Sequence, residues 1–178
     1  MRKTAGRLFL IFAAALVAAC AVDDAPTAPM QEPDIAAQFA DVTNEPAIAA
    51  LRNATDRYHN LKAATDDGFV LLHPCEDRPG EGPVGTVYVH IGRLLDGVID
   101  PNLPDALIYE PTKNGAEKLV GVEFAVPYGL WPGPTPPQFM GATFQNEDEF
   151  GVYALHVWVW LKNPNGMFEE VNPRVSCN

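Results

Sequence analysis

The hydrophobic pattern changes its period once along this chain, at Gly68, and that change limits the fold more than any other feature. Ile48, Leu51, Thr55, Tyr58, Leu61 and Lys62 recur at spacings of three and four, with Arg52, Asn53, Arg57 and Asn60 off the stripe. This predicts one amphipathic helix over 46–65. Thr43, Asn44, Glu45 and Pro46 supply capping residues, an acid and a first-turn proline for its start, and Gly68 supplies a stop. Beyond Gly68 the period falls to two. Phe69–Leu72, Val84–Ile91, Ala106–Tyr109, Leu119–Val126 and Tyr153–Leu161 read as strands, rich in β-branched and aromatic residues and parted by Pro, Gly, Asn and Asp. No gap carries a second long helical pattern, which argues against parallel crossover winding. The expected fold is α+β: one N-terminal helix packed on an antiparallel sheet of about five strands, with scope to curl toward a barrel.

The N-terminus reads as a secretory signal peptide. Arg2, Lys3 and Arg7 precede an apolar stretch, Leu8–Val17, that ends in small residues. The full apolar run, Leu8–Ala19, is twelve residues, short of the roughly 20 needed to span a bilayer as a helix. Leu16-Val17-Ala18-Ala19-Cys20 resembles a bacterial lipoprotein lipobox, which implies cleavage before Cys20 and a lipid on its sulfur. Ordinary cleavage with Cys20 left free or removed is the alternative. The domain organisation is then a signal peptide over 1–19, a lipid anchor and flexible tether over 20–45, and a single globular domain over 46–178. Ala21–Pro33 is rich in Ala, Pro and acids, without hydrophobic period, as a tether would be.

Cysteine parity agrees with the lipobox. Three cysteines in an exported chain leave one odd thiol. If Cys20 carries lipid, Cys75 and Cys177 remain as an even pair in an oxidising compartment and are expected to form a disulfide. That bridge would close a loop of 102 residues, for which chain entropy gives about 4.7 kcal/mol as an upper figure.

Charge excludes one class of partner. The chain has 12 Lys and Arg against 23 Asp and Glu, with no basic cluster after residue 7, so nucleic acid is not an expected partner. Loss of residues 1–19 would leave nine basic residues and a formal charge of −14. Membrane attachment would come from lipid, since an acidic domain is repelled by anionic headgroups.

Three ionisable residues interrupt apolar strands. His90 ends one strand, sharing a face with Thr86 and Tyr88; Glu123 and His156 lie within two others. Burial of each is costly unless it is paired. If the three faces coincide, His90, Glu123 and His156 form a buried polar cluster. A two-His, one-carboxylate set could hold a divalent metal such as iron, manganese or zinc. The alternative is a structural set: a satisfied core His156, a strand-end His90, and Glu123 paired with Arg174 or Lys162. Trp158 and Trp160 alternate along the last strand and, with Tyr88, are candidates for lining a ligand groove, or are core. His73-Pro74-Cys75 could make a thiolate–imidazole pair, but the expected disulfide consumes the thiol. Glu147-Asp148-Glu149 reads as a solvated acidic run. The Gly-rich stretch from Pro79 to Gly85 lacks the Lys-Ser/Thr of a phosphate loop, and Ser176 is the only serine.

Tyr153–Phe168, Asn172–Cys177, Ala106–Pro111 and Leu119–Phe124 together resemble a group of exported bacterial proteins of unknown function. The resemblance spans about residues 49–177 and implies a shared domain and export, with no activity. The leading functional reading is a lipid-anchored protein of the bacterial cell envelope. Its domain would bind a small molecule or an envelope partner, or serve a structural role, without catalysis. The alternative is a small metal-dependent enzyme or metal-binding protein using His90, Glu123 and His156.

Overall fold

The expected single helix is realised in pieces. The computed structural model describes residues 35–177 apart from 79 and 81, with side chains from 45 onward. Helix α1 runs over Ile35–Thr55, a 3-10 turn follows at Asp56–His59, and α2 spans Leu61–Asp66. The expected start at Thr43–Pro46 therefore lies inside α1, and 35–45 of the expected tether is helical. Cys20 and the lipobox lie outside the described residues. The break has a local cause. Thr55 Oγ1 bonds back to Leu51 O at 2.8 Å, and Asn60 adopts an extended backbone while its side chain accepts from Lys62 N, capping α2. Gly68, at φ 104°, then takes the left-handed conformation that turns the chain into the sheet.

The strands are β1 (Val70–His73), β2 (Asp77–Arg78), β3 (Gly82–Pro83), β4 (Thr86–Val89), β5 (Ala106–Pro111), β6 (Glu117–Pro127), β7 (Gln138–Phe139), β8 (Ala142–Thr143), β9 (Gln145–Glu147) and β10 (Val152–Val157), with a short helix α3 at Ile91–Leu94. Six of them form one antiparallel sheet in the order β1-β4-β5-β6-β10-β9. β2–β3 and β7–β8 make separate two-stranded ribbons. The sheet is open, with β1 and β9 as its edges, so the barrel alternative is corrected. The sixth strand, β9, contains Glu147, which the sequence alone placed in a solvated loop.

Closure is unnecessary because both faces are covered. On one face Leu107, Tyr109, Val122, Phe124, Leu155 and Val157 share a core with Ile48 and Leu51 of α1 and Tyr58 of the 3-10 turn. On the other, Val87, Val89, Ala106, Ile108, Val120 and Trp158 pack with Val175 from the C-terminal segment. Strands buried on both sides read as continuous apolar runs, which is why Ala106–Tyr109 shows no polar alternate.

The last strand is shorter than its sequence suggests. β10 stops at Val157, and a tight turn follows in which Val159 N donates to Val157 O at 2.9 Å. Trp158 consequently enters the core shared with Val175, while Trp160 packs against the opposite core. Gly121 makes room for Trp158: a Cβ there would lie 3.2 Å from Trp158 Cε3 and 3.1 Å from Val157 O. The chain then crosses the second face, held by Trp158 Nε1 to Glu169 O at 2.6 Å and Asn172 Nδ2 to Leu161 O at 3.1 Å. Cys75 and Cys177 are joined by a disulfide with Cα atoms 5.3 Å apart, which anchors this segment at its end. No helix among the described residues is long and apolar enough to cross a membrane.

Candidate functional site

Register decides which ionisable residues meet. Val89 pairs with Ala106, Ala106 with Glu123, and Glu123 with His156, so these four residues form one row across β4, β5, β6 and β10 on a single face. Glu123 Oε2 stands 3.3 Å from His156 Nε2, with side-chain exposures of 14% and 6%. The other ring nitrogen, Nδ1, lies 2.6 Å from Glu170 O. A carbonyl can only accept, so Nδ1 donates to it. Nε2 then meets a carboxylate oxygen, and that contact is satisfied only when a proton sits between them.

His90 is not part of this pair. Val89 occupies the row, and successive residues of a strand face opposite ways, so His90 points to the other side of the sheet. There its Nδ1 accepts from Arg93 N at 3.1 Å, capping α3, and its ring meets Phe69 edge-on at 5.4 Å. The three-residue cluster expected from the sequence is thus corrected to a pair. Among the described residues, no group of three His, Cys, Asp or Glu side chains is placed to hold a metal ion.

Glu123 and His156 belong instead to the floor of a cavity of about 160 Å³. Apolar walls come from Val84, Val89, Ala106, Ala125 and Val152, and Leu72, Ile91 and Phe150 stand at its lips, 44–46% exposed. His73 lies flat over Phe150 with ring centroids 6.3 Å apart. Arg78 also lines the cavity and is ion-paired with Glu170.

Two further carboxyls line it, and sequence reasoning missed both. Asp105 is 1% exposed. It is clipped to β6 at two points: its backbone N donates to Glu123 O at 3.0 Å, and its Oδ2 accepts from Ala125 N at 2.9 Å. Its Oδ1 is buried and meets no hydrogen-bond donor among the described residues. Burial pushes this carboxyl up to about 7; the Ala125 N–H opposes the shift, Glu123 and Asp96 add to it, and Arg93 counters them. Glu147 is also raised, chiefly by burial, with Arg78 and His156 opposing and Glu123 and Glu149 reinforcing. An Asp just before a strand reads as an ordinary loop residue, and an acid in an acidic run reads as solvated. Neither carries a local signal of burial.

The aromatic candidates do not share this site. Tyr88 packs edge-on against Tyr109 at 5.4 Å on the face bearing His90. Trp158 and Trp160 line a different, larger cleft of about 390 Å³ with Arg52 and Lys162. Trp158 is 2% exposed with its N–H satisfied by Glu169 O, and Trp160 lies edge-on to His59 at 4.4 Å, so both act chiefly in packing.

No protein family model matches this chain, and no curated protein or solved structure matches it either.

Proposed function

We propose that this chain is an exported protein of the bacterial envelope, held to a membrane by lipid on Cys20, whose domain binds a small molecule without turning it over. The resemblance of Leu16–Cys20 to a lipobox supports the anchor. The observation that carries the binding role is the cavity on the face of Val89, Ala106, Glu123 and His156, with a buried polar floor and exposed apolar lips. Polar groups at the bottom and apolar ones at the mouth orient a ligand head-first. A void near 150 Å³ accepts about one benzene ring, so the buried part of the ligand is about that size, smaller than a drug-like molecule.

Among the described residues the lining holds no Ser, Thr, Cys or Lys side chain, and we read it as a binding site. The polar lining residues are carboxyls, two imidazoles and a guanidinium. The test is to fill the cavity. Ala125→Leu puts a larger side chain into the void, and denaturing extraction of purified protein reads the small molecules that it carries. A bound species present at one per chain in the wild type should be missing from the filled variant. Equal loads in both proteins would remove the cavity from the proposal.

A further inference from the structure

The chemistry of the cavity floor goes further and identifies the ligand's head, an inference that rests on the cavity being a binding site. Three carboxyls line one small void: Asp105, Glu123 and Glu147. The guanidinium groups near them are already engaged, Arg78 with Glu170 and Arg93 with Asp67, and His156 contacts Glu123 and Glu170 O. With three carboxyls against one lining guanidinium that is already paired, the lining favours a cationic head over an anionic one. Among the described residues no three His, Cys, Asp or Glu side chains are placed to hold a metal ion, so a bare metal is not the expected head. Asp105 Oδ1 is buried without a hydrogen-bond partner among the described residues, and once ionised this carboxyl can only accept. A group made solely of donors and carrying positive charge satisfies these conditions together. An ammonium has three such donors and no acceptor.

We propose that the cavity recognises a protonated amine on a compact apolar body, the ammonium held by the negative charge of Glu123 and Glu147 with the buried Asp105 beside Glu123, and the apolar part lying between Leu72, Ile91 and Phe150. Its walls admit one ring or a short branched chain. The ammonium enters first and the hydrocarbon stays near the mouth.

Binding also displaces a proton. The charged groups acting on Asp105 are Glu123 from β6, and Asp96 and Arg93 from α3 and the turn after it. Glu147 and His156 stand elsewhere on the lining and His73 toward the mouth. In the empty cavity Asp105 holds its proton up to about pH 7, and an ammonium in the cavity favours the ionised form. For one linked proton of that kind, binding is about tenfold weaker at pH 6 than at pH 8.

The full chain, purified in detergent, is titrated with benzylamine and with its neutral isostere benzyl alcohol, and the backbone amide resonances of Ala125 and Val152 are followed by NMR. The expected result is saturable binding of benzylamine, at least about tenfold tighter than the alcohol, since a charge-assisted contact is worth that or more, and about tenfold weaker at pH 6. Asp105→Asn should erase the preference for the amine and its pH dependence. Glu147→Gln, at a half-buried edge position that tolerates change, should reduce the preference even if the first variant folds poorly. If the alcohol binds as tightly as the amine, the amine assignment falls and the cavity reading stands. If neither probe moves these resonances at about 10 mM, where a ligand of millimolar affinity fills most sites, both fall. Amine binding unaffected by either variant, or flat from pH 6 to 8, would overturn the roles given to these carboxyls.

Discussion

Glu123 on β6 and His156 on β10 stand directly opposite one another, with Oε2 and Nε2 3.3 Å apart. Each sits among apolar neighbours, and each is the main solution to the other's burial. Removing one partner leaves the other buried and unpaired, which costs more than the pair itself contributes. Glu123→Leu and His156→Leu should therefore each lower stability by roughly 1 to 3 kcal/mol, while the double variant should lose less than the sum of the two. Urea unfolding of the four proteins reads the coupling. Additive losses would mean that the contact contributes nothing in solution.

Asp105 makes stability depend on pH in an unusual direction for an acid. Its folded value, about 7, is raised above the ordinary 3.8 of the unfolded chain. A raised carboxyl favours the protonated folded state, so its contribution is fully present below about pH 4 and is lost as pH climbs to 7. The shift corresponds to at most about 4 kcal/mol. Asp105→Asn cannot ionise, and its stability should fall less between pH 4 and pH 7 than that of the wild type. Parallel curves for the two proteins over that range would contradict the burial argument.

The Cys75–Cys177 bond ties the segment that covers the face of Val89 and Ala106 to the start of the sheet. Val175 lies two residues before the bridge and is 5% exposed. Replacing both cysteines by Ala should cost about 2 to 5 kcal/mol. The loss should appear first as faster hydrogen exchange in residues 169–177, because that segment lies in no helix or strand and is held to the sheet by few backbone bonds. Unchanged exchange there would show that packing alone holds it.

Cys20→Ser tests the anchor. The variant should fail to be processed or should leave the membrane fraction, since no other feature read from the sequence supplies attachment. Processing and fractionation both identical to the wild type would sink the lipid assignment and leave the binding domain untouched.

His90 shows how little separated a right reading from a wrong one. Its strand, its polarity and its position near the strand end were all legible. One residue of register places Val89 in the row with Glu123 and sends His90 to the other side, where it caps α3. Trp160 repeats the lesson. Alternation put it on the face of Trp158, and the turn at Val157–Val159 rotated it away.

What the sequence determined by itself was local: the change from helical to strand period at Gly68, the positions of β4, β5, β6 and β10, the parity of the cysteines, and the presence of Glu123 and His156 inside apolar runs. These follow from side-chain spacing and burial cost, which neighbouring residues set among themselves. Tertiary structure alone decided that the sheet stays open with both faces covered, that Glu123 meets His156 without His90, and that Asp105 and Glu147 line the same cavity. Each of these depends on which strands lie side by side and in what register. Pairing brings together residues 20 or 30 apart in the chain, so no local pattern of residues encodes it.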